Sequence, residues 1–454
     1  MTLVTNYYFT IFKAVFIGLL VSIALFSTTY TVGGFFIYPR LILALAGVVT
    51  VLTTTGLKRL LTPSFVIVWI LVVALAVAAV HGEWRHLLLF WALVIRGIIL
   101  PYFTAILLIK LISKLVLKFI PKQRWNFIAI ILFSTLVFQA AIVVIQLLIP
   151  DFRSSYLNFV NLDDLWREMA ALGLPRFSGL GGISIYDTSL TYCIIGAVLL
   201  VNHDYKFDRV WLHASIITLV MLLCLVHGRT GLLFTLVLLV LIAAQETLTL
   251  WRYPSVILRF LLLLVMLAYI SYIAIDPQST GYIVESSGEL FINYINGDGL
   301  RSDSTDQLND LLVWPSGQVL LIGSGIWAQA DLANNVGYPY STDSGYLLLI
   351  NFGSVSFLLL FCIIFFYIIF SFCKSISDVE ARRFVFDKSL FSLYLGTVLL
   401  ITSIKGPIFL SEHFMTAFFL LLGIYYRFVF PLRVVTRPVP HPTDISNSIL
   451  LLNK

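Results

Sequence analysis

Apolar runs long enough to cross a lipid bilayer recur along this chain and constrain its fold more than any motif does. Hydrophobic residues make up 60% of the 454 residues, charged residues make up 11%, and the mean hydropathy is +0.98. A water-soluble domain needs far more polar surface, whereas a helix in lipid satisfies its own backbone hydrogen bonds. The sequence therefore predicts an all-α, polytopic integral membrane protein.

Windows of about 20 apolar residues predict about twelve transmembrane helices. The first run lacks the small-residue cleavage site of a signal peptide, so we expect it to be retained as a span. Two connections, near 150–184 and 276–343, are long enough to form a helical cap over a single membrane domain, 1–454. The predicted spans lie near residues 11–31, 40–56, 64–80, 87–109, 125–149, 185–202, 210–226, 231–250, 257–275, 344–370, 388–404 and 414–430.

Lysine and arginine decide the predicted orientation. If both termini are cytoplasmic, twenty of the 29 basic residues lie on the inner side, eight lie on the outer side, and Arg96 lies within the fourth span. Basic residues accumulate on the cytoplasmic side of membrane proteins, so this excess favours cytoplasmic termini. The net charge of +6 then reflects attraction to anionic lipid and gives no reason to expect a nucleic-acid partner. A stripe of lysines predicts a cytoplasmic interfacial helix: Lys110, Lys114, Lys118 and Lys122.

Arg229 stands in a short polar turn, His227-Gly228-Arg229-Thr230-Gly231, between the apolar stretches 211–226 and 231–244. A charge where the chain leaves lipid and returns is costly and is typical of a functional site. The glycines allow a ligand to approach closely, and a guanidinium pairs well with phosphate oxygens. This turn predicts a site for an anionic group at one face of the membrane.

A second arginine-glycine segment, Pro175 to Gly182, precedes the sixth predicted span. It places Arg176 beside three glycines, and Asp187 follows near the start of the span. Such a loop can bring backbone and guanidinium donors to a phosphate. An ordinary turn with an interfacial arginine is the alternative interpretation.

Between the last two predicted spans, Lys405 and the pair Glu412-His413 form a third polar segment on the outer side. Lys405 offers a cation for phosphate, and His413 offers a candidate proton acceptor. The simpler interpretation is a snorkelling lysine with an interfacial histidine.

The large loop near 276–343 is acidic and rich in aromatic residues. Nine carboxylates accompany a single basic residue, Arg301, and tyrosines such as Tyr338 and Tyr346 lie within or just after the loop. Carboxylates accept hydrogen bonds from sugar hydroxyls, and aromatic rings stack on the apolar faces of sugars, so the loop suits a glycan. A solvated loop with interfacial aromatic side chains is the alternative.

Motifs for nucleotides and metals are missing from the sequence. The sequence contains no GxxxxGK[ST] run, so we do not expect ATP-driven transport. It contains no HExxH motif or comparable cluster, so we do not expect a zinc site. The four cysteines lie in or beside apolar runs without ligand spacing, so we expect buried thiols. We therefore predict no metal and no cofactor.

Several short segments resemble, in order, the O-antigen polymerase (Wzy-type) and O-antigen ligase superfamily of bacterial membrane glycosyltransferases. The similarity spans roughly residues 170–425 and consists of the order of these segments and their positions relative to the predicted spans. The segments are Arg176 with its glycines, His227 to Gly231, Arg301 followed by Trp314 and Ile322 to Gly325, Asp343 to Leu347 leading to Asn351-Phe352-Gly353, and Ile404 to Pro407 with Glu412-His413.

The resemblance implies a GT-C-like polymerase of the bacterial inner membrane. It would move a growing glycan from undecaprenyl pyrophosphate onto a lipid-linked repeat unit at the periplasmic face, among membrane lipids and with a flippase and a chain-length regulator as partners. Fixed positive charge would stabilise the pyrophosphate leaving group, and a base would take the acceptor proton. The predicted catalytic residues are Asp343, Arg229, Arg176, His413 and Glu412, and the predicted substrate-binding residues are Arg301, Lys405, Asp187, Tyr338 and Tyr346.

One departure from the superfamily favours the polymerase. Ligases resembling this chain carry a histidine where Asp343-Ser344 stands. Ligation of polysaccharide to lipid A core and flipping of lipid-linked oligosaccharide are the alternatives. A flippase is expected to spread its charges along a central cavity, whereas the polar residues here gather at one face.

Overall fold

The computed structural model describes the larger part of the chain. The described residues are 2–54, 57–119, 121–162, 167, 178–181, 186–201, 210–245, 293, 296–297, 306, 312–327, 342–376 and 390–429. The predicted span 257–275 and most of the predicted cap lie outside them.

Helices dominate the described chain, as the composition predicts. A two-stranded antiparallel hairpin, β1 (Tyr30–Val32) and β2 (Phe35–Ile37), joins the first two helices. The helices are α1 (Thr2–Phe26), α2 (Pro39–Thr54), α3 (Leu57–His81), α4 (Trp84–Val94), α5 (Leu100–Val116), α6 (Pro121–Leu148), α7 (Pro150–Leu157), α8 (Tyr186–Val201), α9 (Val210–His227), α10 (Arg229–Gln245), α11 (Gly317–Ile322), α12 (Gly345–Gly353), α13 (Val355–Ile376), α14 (Leu390–Lys405) and α15 (Glu412–Ile424).

Within the described residues, four helical stretches are long and apolar enough to cross a membrane: Tyr8–Phe26, Trp84–Val116, Gln123–Leu148 and Val355–Cys373. Shorter apolar helices, among them Pro39–Thr53 and Tyr186–Leu200, pack with them. The all-α membrane character is therefore confirmed, while the count of twelve spans and the helical cap stay predictions.

The single span predicted at 344–370 is wrong, because the chain reverses at Ser354. This residue has φ 92° and ψ 173°, a conformation that side-chain-bearing residues rarely adopt, and it separates α12 from α13. Tyr346 of α12 and Phe361 of α13 line the same apolar pocket, so the two helices run antiparallel. A span-length hydropathy window averages over Asn351, Gly353 and Ser354 and therefore reports one apolar run.

The fourth predicted span also differs from a plain helix. A π turn, Ile95–Ile99, joins α4 to α5 and carries Arg96. At this turn Gly97 touches the Leu410 backbone, and a Cβ would find no room there. Lys110 and Lys114 lie on α5, Lys118 lies in the turn after it and Lys122 lies on α6, so the single interfacial helix predicted for the four lysines is wrong.

Small residues set the closest helix contacts. Gly18 of α1 rests on the Ile131 carbonyl of α6, and Gly231 of α10 rests on Ser189 of α8, where a Cβ would lie 2.5 Å from the Ser189 carbonyl oxygen. Membrane helices pack through such small residues because lipid supplies no hydrophobic drive for their association. The first contact lies within α1 and α6, and the second lies at the start of α10, beside the polar turn 227–231.

Candidate functional site

Several helix termini meet at one end of the bundle, which we call the site end. Here α1, α9 and α14 end, and α2, α8, α10, α12 and α15 begin. Gly228 contacts Tyr186 and Ser189, and Gly345 lies against Gly406-Pro407. Helix ends leave backbone N–H and C=O groups without intrahelical partners, so many polar backbone groups lie at this end of the bundle.

Glu412, the first residue of α15, is the centre of a charged cluster at the site end. Its Oε1 lies 3.0 Å from Nη1 of Arg40 and 3.2 Å from Nη2 of Arg96. Its Oε2 accepts a hydrogen bond from the Tyr38 hydroxyl. Burial would raise the pKa of Glu412, but the two guanidinium groups outweigh it and lower that pKa to about 2. A carboxylate held in this way is a weak base.

Arg40 caps the C-terminal end of α1. It is fully buried, and its Nε and Nη2 donate to the carbonyl oxygens of Ala24 and Leu25 at 2.8 and 2.9 Å. These carbonyls belong to the last turn of α1, where no intrahelical donor is available. Arg40 therefore joins α1, α2 and α15 and has a structural role.

His413 lies beside the same guanidinium. Its Nδ1 is 2.5 Å from Nη2 of Arg40 and 2.8 Å from the Leu25 carbonyl oxygen. Burial and then the charge of Arg40 lower the pKa of His413, against the opposing charges of Asp187 and Glu412. Nδ1 therefore faces both a donor, the Arg40 guanidinium, and an acceptor, the Leu25 carbonyl, and is occupied in either tautomer. Any proton transfer by His413 would have to use Nε2.

Asp187 links α8 to the start of α15. Its Oδ2 accepts the Ser411 hydroxyl at 2.5 Å, and its Oδ1 accepts the backbone N–H of Thr188 at 2.7 Å. Ser411 is the N-cap of α15 and accepts the N–H of Phe414. Asp187 thus supports the helix that presents Glu412 and His413.

Lys405, the last residue of α14, reaches the turn that was predicted from the sequence to bind an anion. Its Nζ donates to the Thr230 hydroxyl at 3.3 Å and lies 5.8 Å from the ring centroid of Tyr186. Thr230 follows Arg229, with which α10 begins. The structure therefore brings Lys405 and the start of α10 together.

Asp343 immediately precedes Ser344, the N-cap of α12, and is half-buried. A Cβ on Gly345 would lie 2.8 Å from Cα of Pro407, so the start of α12 touches the connection after Lys405. Asp343 thus belongs to a segment that reaches the site end, although it lies far from Lys405 in the sequence.

A second polar network, which sequence reasoning missed, anchors residues 178–181 within the bundle. His227 is buried, with Nε2 3.0 Å from the Ser178 hydroxyl and Nδ1 3.1 Å from the Tyr192 hydroxyl. Gln139 of α6 donates to Tyr192 and accepts from the N–H of Leu180. Polar residues inside the apolar run of α6 were the available signal.

The remaining predicted residues divide into three groups. Arg176, Arg301 and Tyr338 lie outside the described residues, as does the side chain of Arg229. Tyr346 donates its hydroxyl to the Leu400 carbonyl oxygen at 2.7 Å and lines an apolar pocket. Trp327, one of the loop aromatics, is fully buried against Phe90 and has a packing role.

Arg40 and Tyr38 were not predicted as site residues. In the sequence Arg40 is one outer basic residue among eight, and only its contacts with Glu412 and the end of α1 distinguish it. Arg96 was recognised as an intramembrane charge, but its carboxylate partner lies more than 300 positions away in the sequence.

These features define a multi-helix membrane protein with a charged cluster at one end of its bundle. Comparisons with protein-family models, with curated proteins and with solved structures gave no match. Any assignment of function therefore rests on the sequence segments and on the geometry of the site end.

Proposed function

We propose that the protein is a membrane glycosyltransferase that polymerises lipid-linked oligosaccharide repeat units, using a polyprenyl-pyrophosphate-linked glycan as donor. One observation carries the proposal. Segments that resemble the polymerase superfamily, although far apart in the chain, meet at the site end: the start of α10 contacts Lys405, and the start of α12 contacts Gly406-Pro407. Such convergence is expected of parts of one site.

The proposed reaction transfers the glycan from its pyrophosphate carrier to a hydroxyl of the incoming unit. The leaving pyrophosphate gains negative charge, which fixed cations stabilise. Lys405 is the described cation beside the start of α10. Arg229 is the partner that we propose next to it, and the sequence adds Arg176 and Arg301.

A base must accept or orient the proton of the acceptor hydroxyl. Glu412 is held by two guanidinium groups and a tyrosine hydroxyl, and Asp187 accepts the hydroxyl of Ser411, the N-cap of α15. Both are therefore better suited to positioning than to proton transfer. Among the predicted acids this leaves Asp343 as our first choice, with the Nε2 atom of His413 as the second.

The finer parts of the proposal follow from the sequence. We place the protein in the bacterial inner membrane with both termini cytoplasmic and the site end on the periplasmic side. Surface polysaccharide, such as O-antigen, is the product class, and a flippase and a chain-length regulator are the expected partners. No metal or other cofactor takes part in the proposed step.

Reconstitution tests this proposal. Purified protein is placed in liposomes with lipid-linked repeat units on the site-end side, and the products are separated by length. A ladder of polymer is the expected result. Transfer to added lipid A core would replace the proposal with a ligase, and translocation without bond formation would replace it with a flippase.

A further inference from the structure

Two guanidinium groups share one carboxylate at the site end. Both Arg40 and Arg96 contact the same oxygen of Glu412, at 3.0 and 3.2 Å, and the other oxygen accepts the Tyr38 hydroxyl. Within the described chain these are the ion pairs that either arginine makes. Among the described residues, two guanidinium groups thus pair with a single carboxylate, and the two arginines differ in how accessible they are.

Arg96 is the arginine with access to its surroundings. Its side chain is 53% exposed, whereas that of Arg40 is 2% exposed and is occupied by the end of α1. Arg96 lies on the π turn, a distortion often found at functional positions, and its guanidinium carbon lies 6.0 Å from the Tyr38 ring centroid. The accessible positive charge of this cluster is therefore the guanidinium of Arg96.

The depth of Arg96 in the bundle indicates what surrounds it. At about 1.5 Å per residue, the helix from Arg96 to Val116 rises about 30 Å, the thickness of the hydrocarbon core. Arg96 is level with the beginnings of α2 and α15, since it contacts Glu412 and lies beside Tyr38. Its guanidinium is therefore level with the polar helix ends of the site end and about one hydrocarbon thickness from Val116.

Apolar side chains continue from this point along the bundle. Leu41, Ile42 and Leu45 follow Tyr38 on α2, and they are exposed by 41%, 59% and 57%. A cation beside the polar helix ends, followed along α2 by exposed aliphatic side chains, matches an amphiphile with an anionic head and hydrocarbon tails.

We propose that Arg96 binds the phosphate group of a membrane lipid, with the lipid chains lying along the exposed face of α2. A guanidinium offers several N–H donors in a planar fork, so contact with one carboxylate oxygen leaves donors for phosphate. Glu412 orients the fork and stays charged because Arg40 also pairs with it. The site does not depend on the glycosyltransferase proposal, since any lipid phosphate satisfies the chemistry.

The experiment counts phosphatidylglycerol molecules retained by the purified full-length protein in native mass spectrometry. Arg96→Gln removes the charge and leaves Glu412 paired with Arg40, so the fold is expected to persist. Arg85→Gln makes the same change at an exposed arginine about three turns earlier, on α4. We expect retention to fall about tenfold in Arg96→Gln and to stay at the wild-type level in Arg85→Gln. Equal retention by the two variants would overturn the proposal.

A measurement on the wild-type chain covers the case in which Arg96→Gln does not fold. A photoactivatable phosphatidylglycerol should crosslink mainly to peptides containing Tyr38 to Leu45 or Arg96. An even distribution over all lipid-facing helices would contradict the site. Competition with polyprenyl pyrophosphate separates the two sources of phosphate: displacement assigns the site to the glycan carrier, and retention of phosphatidylglycerol assigns it to a phospholipid headgroup.

Discussion

Individual side chains at the site end divide into those that hold helices and those that remain accessible. Arg40 is buried and binds the last carbonyls of α1, and Glu412 joins it to Arg96. Lys405 is half-buried, and Arg96 is exposed. A charged residue at this end is therefore structural where it is fully buried, and accessible to a ligand where part of its side chain is exposed.

Replacing Glu412 with Gln tests the buried pair. The change leaves Arg40 buried without its carboxylate, so we expect a loss of about 3–5 kcal/mol in stability at pH 7. The folded-state pKa of Glu412 lies below its ordinary value of 4.5, at about 2. Its stabilising contribution is therefore complete above about pH 4.5 and is lost as the pH falls towards 2.

Thermal unfolding in detergent measures this effect as the difference in Tm between wild type and Glu412→Gln. The difference should be constant from pH 7 to 5 and shrink below pH 4.5. Glu83→Gln, on the connection between α3 and α4, is the matched control and should differ little from wild type at any pH. A difference for Glu412→Gln that does not change with pH would contradict the ion-pair assignment.

Asp343→Asn tests the proposed base. The amide keeps the shape of the side chain but cannot accept a proton, so the rate of chain extension should fall by about 100-fold or more. The rate is read from the polymer ladder in liposomes, at matched protein amounts. Asp151→Asn, on the exposed helix α7, should keep the wild-type rate. A normal ladder from Asp343→Asn would remove this residue from the reaction.

Sequence reasoning recognised the polar segments but not the partners that define their roles. Asp187, Lys405, Glu412 and His413 were all predicted as site residues because each is a polar group at the edge of an apolar run. The pairing of Glu412 with Arg40 depends on how the ends of α2 and α15 meet, and a single sequence does not report such contacts between distant segments.

At the level of helices, composition and hydropathy predicted most of the described elements and failed where the chain departs from a straight span. The predicted span 125–149 corresponds to α6, and 185–202 corresponds to α8. The reversal at Ser354 was missed because an antiparallel pair of apolar helices has the same hydropathy as one long helix. The π turn at Arg96 was missed because hydropathy does not report it; Pro101, which follows the turn and lacks an N–H for the Gly97 carbonyl, was the available signal.

Gly231→Ala tests how closely α8 and α10 approach. The added Cβ would lie 2.5 Å from the Ser189 carbonyl oxygen, and backbone cannot move away as a flexible side chain can. We expect a destabilisation of about 1–3 kcal/mol, seen as a lower Tm.

The control is Gly396→Ala on α14, where no atom lies within 4 Å of the added Cβ. This substitution should keep or raise the Tm, because alanine is favoured over glycine in a helix. If Gly231→Ala and Gly396→Ala have the same Tm, α8 and α10 do not approach as closely as the structure shows.

For the whole molecule, the described structure confirms a helical membrane protein, while its orientation remains a prediction from lysine and arginine. The lysines of α5 lie at the end opposite to Arg96 on the same continuous helix. This separation agrees with the predicted arrangement, in which the lysines face the cytoplasm and the site end faces outwards.

Cysteine labelling measures that orientation. Trp314→Cys and Lys118→Cys introduce thiols at two exposed positions, and a membrane-impermeant maleimide is added to cells before and after permeabilisation. We expect Trp314→Cys to react in intact cells and Lys118→Cys to react only after permeabilisation. The parent chain sets the background, because Cys193, Cys224 and Cys373 are buried whereas Cys362 is half-buried in an apolar pocket. The opposite pattern would reverse the orientation.

The pairing of Arg40 with Glu412 also has a consequence for biosynthesis. Arg40 enters the membrane with the second helix, but its carboxylate arrives only with the last described helix, after most of the chain has been made. A ribosome-bound chain that stops before α15 therefore carries Arg40 without the carboxylate that pairs with it in the described structure. The early helices can complete their docking only after α15 has been made, so truncation before α15 should leave them open to membrane quality-control proteases.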